Sequence, residues 1–169
     1  MTGGRQVTVE TAAGMRALGK RLASLLRAGD LVILSGSLGA GKTTLVQGIG
    51  EGLGVRGPVT SPTFVIARIH PSLTGGPDLV HADAYRLASP AEVDDLDLDE
   101  AMDSSVTVVE WGGGLAEGLA DNRLEVTITP LEATLGTEPR TVCIAGHGGR
   151  WNAAGDSAFL ALSGTPEGL

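Results

Sequence analysis

Apolar positions follow two rhythms along this chain, one of three and four residues and one of two. Met15, Leu18, Leu22, Leu25 and Leu26 recur at helical spacing between Ala12 and Arg27. This predicts an amphipathic helix with Thr11 as its N-cap and Gly29 ending it. Leu31–Ser35 is a continuous apolar run, the pattern of a strand buried on both faces. A Gly-rich turn follows it, then a second predicted helix from Lys42 to about Leu53. Arg5–Val9, Thr63–Ile69, Leu79–Ala82 and Val106–Val109 have strand composition, and Pro71–Pro77 reads as an exposed loop. Pro90–Met102 predicts a helix capped by Ser89, with Pro90 at its first position. Leu124, Val126 and Ile128 alternate with Glu125, Thr127 and Thr129, so this strand has one wet face, and Arg140–Ala145 is its expected neighbour. After Gly146 the chain is weakly patterned, apart from a short helical stretch near Phe159–Leu162. Strands alternating with helices predict an α/β fold: a mostly parallel central sheet, helices on both faces and antiparallel strands at the C-terminal side. The expected organisation is one domain over residues 1–149, with 150–169 as a C-terminal tail.

Composition narrows the possible functions. At 169 residues the chain can bury a real core, but Phe64, Phe159, Tyr85, Trp111 and Trp151 are its only aromatics. Leu, Val, Ile and Ala must build that core. Twenty acids against twelve bases give a net charge of -8, which disfavours an unaided grip on nucleic acid. Cys143 stands alone, excluding an internal disulfide or a Cys-based zinc site, and its β context suggests a small core residue. No apolar run approaches membrane-spanning length, and Met1–Glu10 has no apolar leader core. A cytoplasmic location is expected.

The chemistry is concentrated in Gly36-Ser-Leu-Gly39-Ala-Gly41-Lys42-Thr43, which fits G-x-x-x-x-G-K-[ST] between a buried strand and a helix. Glycines let backbone N–H groups converge on a phosphate, and the helix N-terminus adds its positive end. In that arrangement Leu38, Gly39, Ala40, Gly41, Lys42, Thr43 and Thr44 cradle the nucleotide. Lys42 reaches the β/γ-phosphates and Thr43 ligates Mg²⁺. This predicts a P-loop NTPase fold. Of the two lysines, Lys20 and Lys42, neither lies in an Asn/Thr-Lys-x-Asp base-reading motif, so ATP is expected by elimination. Such an enzyme needs an acid at the metal shell or the attacking water. Glu110 and Asp83 each end an apolar strand, and both are candidates for catalysis and for the metal.

Leu34–Thr44, Thr60-Ser61-Pro62-Thr63-Phe64, His81-Ala-Asp83-Ala-Tyr85-Arg86-Leu87 and Val109-Glu110-Trp111-Gly112 occur in an order and spacing that resemble the bacterial TsaE (YjeE) ATPases of tRNA threonylcarbamoyladenosine biosynthesis. The resemblance spans about Leu31 to Ile128. It implies an energy-coupling ATPase that works with TsaD and TsaB and does not perform the transfer itself; the acidic charge suggests that any tRNA contact is made mainly by those partners. It implies that Thr63 belongs to a switch-like loop near the γ-phosphate, that Asp83 and Glu110 are the acids at metal and water, and that Trp111 flanks the nucleotide. The chain departs from the family pattern at Gly112-Gly113-Gly114.

Other residues carry weaker signals. His81 shares a strand face with Asp83, which suits a core histidine first and a partner of the acid second. Arg86 is a candidate arginine finger, and Tyr85 and Arg86 together could orient Asp83. The six acids between Glu92 and Glu100 read as a solvated helix face before a docking surface for a basic partner. Trp151 is expected to pack a late turn onto the domain. Two alternatives share the P-loop: a small-molecule kinase, although Arg123 is the only arginine between Pro90 and Leu124, and a nucleotide-gated binding module.

Overall fold

The continuous apolar runs form the middle of one sheet, where both faces must be covered. In the computed structural model, which describes residues 4–37, 39–59, 67–84, 87, 89–94, 98–111, 113–114, 116–133, 137–152 and 162, seven strands assemble into that sheet. They are β1 (Gly4–Val9), β2 (Leu31–Gly36), β3 (Ala67–His70), β4 (Asp78–Asp83), β5 (Ser105–Glu110), β6 (Arg123–Pro130) and β7 (Arg140–His147). Their order is β1-β7-β6-β2-β5-β4-β3. Only the pairings within β6-β2-β5-β4 are parallel, while β1–β7, β7–β6 and β4–β3 are antiparallel. The sheet is therefore mixed, not mostly parallel, and antiparallel strands flank both sides. The short 71–77 connection explains one edge: it can close a hairpin between β3 and β4 but is too short for a parallel crossover.

Two apolar layers sandwich the central strands. Val32 and Leu34 of β2, with Val106 and Val108 of β5, pack against Leu18 and Leu22 of α1 (Ala12–Ala23) and Leu45 and Ile49 of α2 (Lys42–Leu53). Leu31, Ile33, Val80, Ala82 and Val109 face the opposite side, where Leu98 and Met102 cover them. Helices α1 and α2 touch so closely that a Cβ on Gly19 or Gly48 would run into the backbone of the other helix. Along β6, Leu124, Val126 and Ile128 are buried and Thr127 is exposed, as the alternation predicts.

Local chemistry shifts several predicted boundaries. The Thr11 hydroxyl accepts the Gly14 N–H and starts α1 as expected, but the helix ends at Ala23 rather than Arg27. Ser24 donates its hydroxyl and its N–H to the Arg21 carbonyl, and Leu25 and Leu26 continue as tight three-residue turns. The predicted Pro90–Met102 helix is two short pieces, α3 (Pro90–Asp94) and α4 (Asp99–Met102). Residues 95–97, between these two pieces, lie outside the described residues. Cys143 is exposed, not core. It pairs in register with Gln6 of β1 and Thr127 of β6, both exposed, on the wet face of the antiparallel strands. The predicted strand at Thr63–Ile69 is seen from Ala67 onward; Thr60–Ile66 lie outside the described residues, as does Phe159.

Packing continues beyond Gly149. Trp151 and Leu162 are buried in the α1/α2-side core. The Arg150 guanidinium donates to both carboxylate oxygens of buried Asp30 at 2.6–2.7 Å and to the Leu25 carbonyl at 2.8 Å. Asp30 also accepts the Arg27 N–H at 2.8 Å, so its charge is fully met.

Candidate active site

The parallel strands β2, β5 and β4 end side by side, and the predicted chemistry gathers at those carboxyl ends. Leu34 stands opposite Glu110, and Glu110 opposite Asp83, in the strand registers. Open α/β sheets offer their ligand crevice in this position. The turn from β2 into α2 depends on glycine. Gly36 has φ 155°, and a Cβ there would lie 2.8 Å from the Ile128 carbonyl oxygen. Gly41, with φ 106°, begins α2 without any side-chain cap. The first-turn N–H groups, with no acid among them, are thus left for an external acceptor. Lys42, Thr43 and Thr44 form that first turn, and the last two are half-buried. Gly39 (φ 76°) and Ala40 complete the described part of the loop; Leu38 lies outside the described residues.

Lys42 is 6% exposed. Its ammonium donates to the carbonyls of Gly36 at 2.7 Å and Ser37 at 2.9 Å and sits 4.0 Å from the centroid of the Trp111 ring. Burial pulls its pKa below the ordinary lysine value, and the nearby Glu110 and Asp83 carboxylates partly offset this. Trp111 is brought there by an abrupt turn: it follows the last residue of β5 with φ 60°, and its N–H donates to the Leu34 carbonyl at 2.8 Å. Glu110 is buried, and its Oε2 meets His81 Nε2 at 2.8 Å, with the His81 ring fully buried as well. His81 is a core histidine, as its strand face predicts, but its acid partner is Glu110 across the strand boundary. Asp83 is half-buried at the end of β4. The site thus unites Lys42, Asp83, Glu110 and Trp111, with Thr43 next to Lys42 in the first turn of α2; Thr44 lines a groove with Ala12, Arg16 and Gln47 against α1, and Thr63, Tyr85 and Arg86 lie outside the described residues.

Arg140 is a member of this region that sequence reasoning missed. From the start of β7 its guanidinium donates to the Gly39 carbonyl at 2.9 Å, and its side chain lies beside Gly41. Nothing in the local sequence marks it, because the contact spans 101 residues. Among the described residues no cluster of three His, Cys, Asp or Glu side chains forms a metal cage. No helix in the described residues is long and apolar enough to cross a membrane.

Fold and site together define a mixed α/β protein in which a glycine turn, a buried lysine and paired strand-end acids meet at the carboxyl ends of the central strands. The family model for the threonylcarbamoyl adenosine biosynthesis protein TsaE matches residues 9–138. The tRNA threonylcarbamoyladenosine biosynthesis protein TsaE of Streptomyces coelicolor is 60% identical over 87% of this chain and 99% of its own length. The protein of the same name from Bacillus subtilis is 36% identical over 80% and 82%. The crystal structure of Bacillus subtilis YdiB superposes with a TM-score of 0.75 at 27% identity, covering 95% of this chain and 97% of that one. The chain belongs to the TsaE family.

Proposed function

We propose that this protein has a P-loop NTPase fold and is a magnesium-dependent ATPase in tRNA threonylcarbamoyladenosine biosynthesis, the process in its relatives' names. It would act in the cytoplasm as the energy-coupling partner of TsaD and TsaB homologues, with tRNA contacted chiefly by those partners. The observation that carries this reading is the buried Lys42 ammonium, held on its own loop carbonyls beside two strand-end carboxylates. A cation stored in this way is suited to exchange carbonyl oxygens for β/γ-phosphate oxygens. The first-turn N–H groups of α2 add fixed positive charge at no reorganisation cost.

The donor set fits magnesium, which takes one or two protein oxygens and completes its shell with phosphates and water. The Thr43 hydroxyl and the carboxylates of Asp83 and Glu110 supply hard oxygens without forming a closed cage. When bound, magnesium would neutralise charge on the phosphate oxygens. Glu110, with one oxygen occupied by His81, has the other to orient the attacking water; Trp111 would cover the phosphate-side wall.

Following labelled γ-phosphate with and without a TsaD–TsaB pair tests this reading. Free phosphate, stimulated by the pair and abolished in Lys42→Ala, is expected. Glu110→Gln should lose about a hundredfold or more in turnover while still binding nucleotide. Label on a small molecule would indicate a kinase instead, and binding without turnover in either setting would indicate a gated module.

A further inference from the structure

We infer that His81 is a positioning residue that clamps Glu110 in its working orientation and keeps its carboxylate off Lys42. The inference rests on the ATPase reading above. Glu110 is the last residue of β5 and is paired with Leu34 on one side and Asp83 on the other, so its backbone is fixed while its side-chain torsions still decide where the carboxylate goes. Its neighbours include a buried ammonium that feels both strand-end carboxylates. In a site so shielded from water, an unrestrained glutamate would be drawn to that cation. The geometry is different: Glu110 Oε2 is bound to His81 Nε2 at 2.8 Å, while the Lys42 ammonium is bound to the Gly36 and Ser37 carbonyls and faces the Trp111 ring.

The fold makes this clamp rigid. His81 lies on β4 and Glu110 on β5, adjacent parallel strands in which His81 is opposite Val108 and Asp83 opposite Glu110. The imidazole therefore reaches Glu110 diagonally, on the same face as Asp83. It is wholly enclosed, and its Nδ1 has no hydrogen-bond partner among the described residues. A buried polar ring with one nitrogen unmatched contributes little as a core filler. Among the described residues its hydrogen bond is the one to the acid. A carboxylate with one oxygen fixed presents the other in a set direction, and the lysine stays available for phosphate.

The test compares wild type with His81→Leu, which removes the ring nitrogen, and His81→Gln, whose amide can restore an N–H near the Nε2 position. Steady-state ATP turnover is measured together with ADP affinity in the absence of magnesium and the tryptophan emission of the ligand-free protein. His81→Leu should lower kcat about 10- to 100-fold. Its emission should change as Glu110 draws the ammonium from the Trp111 ring, and its ADP affinity should weaken. His81→Gln should recover most of the kcat, the emission and the affinity. Unchanged kcat and emission in His81→Leu would overturn the inference. So would a His81→Gln variant that binds ADP normally yet turns over no better than His81→Leu. Failure of the underlying reading is recognised separately: wild type and Glu110→Gln would then release phosphate equally, which removes the basis for a role of His81 as well.

Discussion

Burial of the Lys42 ammonium against two carbonyls and an indole ring lowers its pKa from the ordinary 10.5, so the fold disfavours the charge that the site requires. Lys42→Met keeps an unbranched chain of similar length and removes only the cation and its hydrogen bonds. Gly36 is half-buried and Ser37 exposed, so water can replace the lost donor at this part of the loop at little cost. The sign follows from linkage. With the folded pKa below the unfolded one, the unfolded chain holds more protons as pH climbs through the folded value toward 10.5. Wild-type stability therefore gains an increment with rising pH in that window, relative to a protein without the group. Below the window both states are protonated, and the penalty for the buried charge is present in full. Lys42→Met should thus be at least as stable as wild type at pH 7, with the difference narrowing at alkaline pH. Nucleotide affinity should move the other way. Loss of charge-assisted contacts to phosphate is worth about 1.5–3 kcal/mol, or roughly 10- to 150-fold in Kd. Urea unfolding from pH 7 to 10 and nucleotide titrations at pH 7 measure both quantities. A variant destabilised by more than about 1 kcal/mol, with a pH-independent difference, would refute the argument that burial dominates at Lys42.

Three further outcomes test other parts of the structure. Arg150→Met strands the buried Asp30 charge and should cost about 3–5 kcal/mol, or roughly 6–20 °C in melting temperature; a shift under about 2 °C would contradict the pairing. Gly36→Ala forces a Cβ toward the Ile128 carbonyl at φ 155° and should cost about 1–3 kcal/mol and impair nucleotide binding, both read in a denaturation and binding pair; wild-type values in both would contradict the strained turn. Cys143 should react with a thiol reagent without denaturant, and Cys143→Ser should change stability by less than about 0.5 kcal/mol; a protected thiol would contradict the wet face of β7.

The local part of this protein is legible in its residues. The uninterrupted Leu31–Leu34 run, the glycines at 36, 39 and 41 and the periodic face of Lys42–Leu53 specify a strand, a turn and a helix, because each depends on neighbours a few residues away. The candidate lysine, threonines and acids follow from the same local logic. Tertiary structure decided what depends on strand neighbours and on distance along the chain. His81 points to Asp83 in its own strand, yet its partner is Glu110, and only the placement of β4 beside β5 brings them together. Arg140 reaches the loop across 101 residues, and Arg150 meets Asp30 across 120. Cys143 is on the wet face because it alternates with buried Val142 and Ile144 along β7, and the pairing with β1 and β6 sets it beside exposed Gln6 and Thr127. Backbone hydrogen bonding and apolar spacing act within one element, whereas pairing of buried charges and choice of sheet face are properties of elements already assembled.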